Sequence, residues 1–143
     1  MIYIFGGTNN HTTMKDLWRF DLTLERWNFQ RTLGDFPKIL VSNVSILQGN
    51  SIFVYNGILN SHHEYHIPTN QWNLIDLIGI IPKPRGWFGY CTYNDSLFIH
   101  GGSDQDSIFS DFWKITLPKR NSNLKLDTNR MRKSNLLLDI SFK

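Results

Sequence analysis

The sequence predicts an all-β protein, and three features predict it. None of its 143 residues is alanine, the best helix former, which speaks against a helical bundle. Ten Phe, five Trp and five Tyr stand beside fifteen Ile, side chains that suit the pleated surface of a strand. Short apolar runs recur between Gly, Pro and Asn punctuation, the rhythm of strands joined by turns. With 41% hydrophobic and 19% charged residues, the composition is globular and supports one domain-sized core.

The elements follow in chain order. Ile2-Tyr3-Ile4-Phe5 predicts a strand over about 1–5, stopped by Gly6-Gly7. Asp16-Leu17-Trp18-Arg19-Phe20 predicts one over 16–22, and the run opening at Trp27 another over 27–31. Strands over 41–47 and 51–55 flank Gln48-Gly49-Asn50, and strands over 87–93 and 96–100 flank Asn94-Asp95, both with hairpin chemistry. Between these pairs, the aromatic-rich stretches at 63–67 and 71–75 read as strands. Asp111-Phe112-Trp113-Lys114-Ile115 gives the last, over 112–116. Pro37, Pro82 and Pro84 punctuate the connections between groups of strands.

These strands repeat. Ile2–Gly7 is echoed by Ile52-Phe53-Val54-Tyr55-Asn56-Gly57 and by Leu97-Phe98-Ile99-His100-Gly101-Gly102, so the closing glycine recurs after 50 and then 45 residues. Asp16–Phe20 matches Asp111–Ile115, each ending thirteen positions after the second glycine. Phe20 and Trp27, like Tyr65 and Trp72, are an aromatic and a tryptophan separated by six residues.

Together these residues resemble the kelch repeat, in which a diglycine closes one strand and a variable loop leads to an aromatic and a tryptophan. The resemblance implies a kelch-type β-propeller segment of about three four-stranded antiparallel blades. It covers residues 1–118 as a partial blade over 1–36, a blade over 37–81 and a partial blade over 82–118, followed by a basic tail over 119–143. The second copy carries Asn56-Gly57 in place of a diglycine, and the third has Ser122 where its tryptophan would stand. Trp27 and Trp72 are expected to fill the space between blades. Burial of one tryptophan removes roughly 150–250 Å² from water, at about 25 cal/mol per Å². The chain holds about two and a half repeats and rings close with roughly four to eight blades, so an incomplete ring is expected. It is then a fragment of a larger propeller, or a protomer that self-associates to complete one.

Charge and cysteine content narrow the function. The net charge of +3 is uneven: residues 1–118 hold 8 basic and 10 acidic side chains, residues 119–143 hold 7 and 2. The basic stretch Arg130-Met131-Arg132-Lys133 has little aromatic interleaving, and the echo of Ser122–Asp127 in Ser134–Asp139 reads equally as strand, so no nucleic-acid partner is expected. Cys91 is the one cysteine, which excludes an internal disulfide framework and fits a reducing compartment. Met1–Gly7 lacks the charged region and apolar run of a signal peptide, and no window approaches the roughly twenty apolar residues of a membrane span. A cytoplasmic location without membrane contact is expected, and the sequons at Asn10, Asn43 and Asn94 are expected to stay unmodified.

No catalytic motif stands out, and no enzyme activity or cofactor is expected. Strand alternation would place His62, Glu64 and His66 on one face at metal-ligating spacing. Tyr65 is the buried aromatic of the repeat, however, which assigns its neighbours to an opposite, more polar face, and no metal site is expected. Galactose oxidase also has kelch-like blades, with a copper site that uses a cysteine–tyrosine crosslink. Cys91 beside Tyr90 and Tyr93 therefore makes a galactose-oxidase-like copper enzyme fragment the alternative. Against it, adjacent strand residues face opposite ways, and a lone cysteine is ordinarily buried.

Recognition through loops remains, on a rigid scaffold. The inserts after the diglycines are Thr8–Thr13 and Ser103–Ser107. The resemblance implies that such inserts and the connections between blades form a partner-binding rim, which nominates Asn10, His11, Arg85, Asp104 and Gln105 as protein-binding residues of an interaction module or scaffold.

Overall fold

A computed structural model describes residues 1–9, 11–38, 42–78, 80–117 and 136–139. Among these residues every regular element is a strand. β1 (Ile2–Phe5), β2 (Leu17–Asp21) and β3 (Arg26–Phe29) form the first sheet. The second is a meander of β5 (Asn43–Gln48), β6 (Ser51–Asn56), β7 (Ser61–His66) and β8 (Gln71–Ile75), with the two-residue β4 (Leu33–Gly34) along the free edge of β8. The third repeats this plan with β10 (Gly89–Tyr93), β11 (Ser96–His100), β12 (Phe112–Thr116) and β13 (Leu136–Asp139), and β9 (Leu77–Ile78) lies along β13. All consecutive strands within a sheet pair antiparallel, while β4 and β9 pair parallel.

Each of the ten expected strands is present to within two residues at either end. Asn94 and Asp95 both take positive φ (44° and 57°), as a tight hairpin between right-twisted strands demands. Four-residue turns join β2 to β3, β6 to β7 and β7 to β8, and each ends on a left-handed residue: Glu25, Asn60 and Asn70. Asp21 Oδ1 closes the first by accepting from Thr23 and Leu24 N–H (2.9 and 3.0 Å), and Asn56 Oδ1 accepts from Leu59 N–H at 2.8 Å in the second. The Leu24 amide, aided by that of Thr23, holds the Asp21 carboxyl below the usual range. Gly34 is required where β4 meets β8: at φ +81° its Cβ would lie 2.1 Å from the Trp72 carbonyl oxygen.

The sheets stack face to face in chain order. Leu17 of the first sheet packs with Ile52, Val54, Tyr65 and Trp72 of the second, flanked by Tyr3, Phe5 and Phe36. The opposite face of the second sheet packs Val44, Phe53, Tyr55 and Ile75 against Leu97, Ile99, Ile115 and Leu117. Trp72 is fully buried, with Phe5, Phe36 and Tyr65 rings at centroid distances of 5.6, 5.4 and 5.1 Å. Among the described residues no core cluster joins the first sheet to the third, and the arc does not close.

Two expectations are corrected by this stacking. Trp27 keeps its partner Phe20 at 4.9 Å but is 48% exposed, because among the described residues no sheet packs against its face of the first sheet. His62, Glu64 and His66 share a face as alternation requires, yet that face is buried too, since the second sheet lies between two others.

Candidate interaction surface

The diglycine corners set the loops. Gly6 and Gly7 take φ of 71° and 98°, Gly101 and Gly102 63° and 95°, and in both copies the chain leaves the strand into a short polar loop. Thr8 bridges Thr13, and Ser103 bridges Ile108. The same device closes both loops. Asn9 Oδ1 accepts from His11 N–H (3.3 Å), Thr12 N–H (2.9 Å) and the Thr12 hydroxyl (3.0 Å). Asp104 Oδ1 accepts from Asp106 and Ser107 N–H at 2.9 and 2.7 Å. His11, Asp104 and Gln105 are exposed at these tips, while Asn10 lies outside the described residues. Asp104 thus spends one carboxylate oxygen on its own turn, and Gln105 and Asp106 are the outward side chains of that loop.

Arg85 is not on the rim. It is 1% exposed, and its guanidinium forks onto the Asp111 carboxylate, with Nη2 at 2.9 Å from Oδ2. Nη1 also donates to the Gly101 carbonyl (2.9 Å), Nε donates to the Lys83 carbonyl (3.0 Å), and the ring of Phe109 lies 4.1 Å from the guanidinium carbon. The Arg85 backbone N–H donates to the Gly57 carbonyl at 2.8 Å, so one residue ties the Asn56-Gly57 corner of the second sheet to the diglycine corner of the third. Four of its five N–H donors find acceptors within the fold, so the side chain is buried in the corner and not presented at its surface. The Arg85 guanidinium, joined by Trp113 Nε1–H at 2.6 Å, holds the Asp111 carboxyl below the usual range.

Three stacked meanders, the first and third with matching diglycine corners, carry the repeat in three dimensions, and residues 1–134 match the KLHDC2/KLHL20/DRC7 Kelch-repeats domain. The chain belongs to the kelch-repeat family. Among similar proteins, human Leucine-zipper-like transcriptional regulator 1 is 32% identical over 141 residues, covering 83% of this chain and 16% of its own length. The Drosophila melanogaster homolog is 24% identical, with 84% of this chain and 14% of its own length covered. Human Kelch domain-containing protein 10 is 28% identical over 131 residues, 81% of this chain and 29% of the relative. The chain therefore spans less than a third of the length of each of these relatives.

On this kelch framework two side chains stand out that the sequence reading passed over. Trp87 is 92% exposed and Ile108 91% exposed. Both belong to one corner, because Ser103 bridges Gly86 on one side and Ile108 on the other. The repeat pattern predicts Trp87 as the first residue of the strand over 87–93, whereas the strand starts at Gly89. The positive φ of Trp87, 55°, turns it out of the sheet between Gly86 and Phe88. Large apolar side chains held this far into solvent beside polar loop tips have the make-up of a contact patch.

The titratable cluster of the second kelch sheet is interior. His62 and His63 are 5% and 7% exposed, and burial drives the His62 pKa down from 6.5 to about 3, with a smaller push from His63. Burial lowers His63 as well and raises the Tyr55 hydroxyl to about 12. His66 Nδ1 lies 2.8 Å from the Thr69 hydroxyl. Among the described residues no three His, Cys, Asp or Glu converge in a geometry that could hold a metal ion. Cys91 is exposed rather than buried, paired across the sheet with Phe98 while Tyr90 pairs with Ile99. No helix of the described residues is long and apolar enough to cross a membrane.

Proposed function

We propose that this chain is a protein-interaction module: a segment of a larger kelch propeller, working as a scaffold in a reducing, cytoplasmic setting. Its recognition surface comprises the two diglycine corners, of the first and third sheets, from which the Thr8–Thr13 and Ser103–Ile108 loops emerge. Kelch-repeat domains are interaction modules, and the observation that carries the reading is the pair of loops built alike on one framework. Each is closed by an Asn or Asp side chain at its first turn, so its tip is presented by a fixed backbone. His11, Gln105 and Asp106 supply polar contacts there, with Asp104 beside them and Asn10 next to His11 in the chain. Trp87 and Ile108 supply the apolar anchors that interface energies favour. No observation supports the copper-enzyme alternative.

The test is partner capture with the full chain, followed by loop substitution. Gln105→Ala with Asp106→Ala, and separately Trp87→Ala, are expected to weaken capture at least about tenfold while urea denaturation stays within about 0.5 kcal/mol of the parent. If these changes leave capture untouched and charge reversal of Arg130, Arg132 and Lys133 removes it, the recognition surface is the basic segment and the assignment fails.

A further inference from the structure

Trp87 stands where the backbone favours a different residue. A large aromatic at φ 55° is an outlier in a region that glycine enters freely, and its side chain lies in solvent with no packing to offset the strain. Strain kept without burial points to a role outside the fold. Ser42 holds the same place one sheet earlier. It stands two residues before Val44, in register with Tyr55, as Trp87 stands two residues before Gly89, in register with His100, and its φ is 52°. Ser42 is exposed although the third sheet packs on the second, with Gly86 beside it: a Cβ there would lie 3.5 Å from Ser42 Oγ. Exposure at this place therefore belongs to the position and survives the arrival of a following sheet.

The apolar surface continues from Trp87 onto the second sheet. Ile58 and Leu59 are exposed on a turn whose backbone is pinned. Asn56 Oδ1 accepts from Leu59 N–H (2.8 Å), the Gly57 carbonyl accepts from Arg85 N–H (2.8 Å), and Asn60 Nδ2 donates to the Pro82 carbonyl (2.9 Å). Ile81 is exposed just before these contacts and Trp87 just after them. At the Trp87 end, Gly86 bridges Ser103, the residue before Asp104. Ser103–Ser110 carries the exposed carboxylates of Asp104 and Asp106 and no basic side chain. Arg85 is held by Asp111, and Lys83 belongs to the other end, next to the Pro82 contact. The result is an apolar strip with an acidic end.

We infer that this strip takes an extended peptide of a partner protein in which apolar residues adjoin a basic one. The apolar side chains lie over Ile58, Leu59 and Ile81, and the cation lies on the Trp87 indole with Asp104 and Asp106 beside it. An indole face attracts a cation through its ring quadrupole, and the flat guanidinium of arginine suits it best. The carboxylates steer that charge to its end of the strip and reject acidic segments. The inference rests on the reading of the chain as an interaction module and names the chemistry of its partner.

The probe is a phage library of random dodecapeptides selected on the full 143-residue chain, with enriched sequences then made as fluorescein-labelled peptides and titrated by polarisation. Enriched sequences should carry arginine or lysine beside Leu, Ile, Val or Phe, and raising salt from about 50 to about 300 mM should weaken binding. Trp87→Gly should weaken it about tenfold or more while the thermal midpoint stays level or rises, since glycine relieves the φ. Asp104→Asn with Asp106→Asn should weaken it about threefold or more with the loop intact, because Asn9 closes the equivalent turn of the first sheet. Replacing the basic residue of the peptide by glutamine should cost nothing further in the Trp87→Gly chain, the mark of a direct pair. Enrichment of acidic or uncharged peptides overturns the inference, as does the lack of any peptide that saturates below about 1 mM. Peptides indifferent to Trp87→Gly but lost on substitution of His11 or Gln105 overturn the strip and leave the interaction-module reading standing. Dimerisation of the chain that displaces the peptide makes a second copy the occupant and overturns the inference as well.

Discussion

The ion pair between Arg85 and Asp111 is lopsided: the guanidinium side chain is 0% exposed and the carboxylate side chain 39%. Removing one partner of a buried pair costs stability mainly by stranding the other, so the two deletions should differ. Arg85→Met leaves a carboxylate that water can reach, still accepting from Trp113, and takes the donor from two carbonyls, of exposed Lys83 and of buried Gly101, of which the second is orphaned. One orphaned carbonyl costs about 1–3 kcal/mol, and the flexible thioether keeps part of the contact with Phe109, so a loss of about 2 kcal/mol is expected. Asp111→Ala strands a full positive charge in the interior, with two carbonyls and a ring for company, and about 3–5 kcal/mol should be lost. In urea, with m of about 2 kcal/mol per M, the midpoints fall by about 1 M and about 2 M respectively. The reasoning is refuted if Arg85→Met costs as much as Asp111→Ala or more. It is refuted equally if both stay within about 0.5 kcal/mol of the parent.

Three further outcomes are expected. His62 is neutral in the fold, with its pKa lowered from 6.5 to about 3, so the unfolded chain takes up the proton first. Its contribution is complete above pH 6.5 and fades as pH falls towards 3. About 2 kcal/mol should go between pH 7 and pH 5, and His62→Phe should flatten that part of the profile in urea titrations at the two pH values. Trp72→Ala should cost about 3–5 kcal/mol and Trp27→Ala less than half as much, because the first is fully buried and the second half exposed, and the thermal midpoints should rank accordingly. Gly102→Ala should cost more than Gly7→Ala by calorimetry. Both carry the strain of a side chain at φ near 95°, but only Gly102 would drive a Cβ against the backbone of Gly86.

The strands and the family were legible because each repeat is written in local chemistry: apolar alternation, a glycine stop, a hairpin dipeptide. What the sequence hid depends on neighbours. Phe20–Trp27 and Tyr65–Trp72 are the same motif, yet one tryptophan is half exposed and the other sealed, since among the described residues only the second sheet has a sheet on either side. Alternation placed His62, Glu64 and His66 on one face and could not say that this face is interior. Arg85 looked like a rim residue because its partner, Asp111, lies 26 residues away. Strands of two residues, such as β4 and β9, are too short to leave a period. Of the recognition surface, the loop tips were visible as polar inserts after glycine. Trp87 and Ile108 were not, since exposure of an apolar residue follows from backbone direction rather than residue type.

β4 and β9 carry a consequence for assembly. In the second sheet the strand order puts β4 at one border and β5 at the other, and in the third β9 and β10 hold the same two places. A single stretch of chain, arriving from the preceding sheet, therefore hems both borders of the sheet that follows it. Each such sheet is thereby stitched at both borders to the one stretch of backbone that leaves its predecessor, and the series is bound together along the chain as well as through its packed faces.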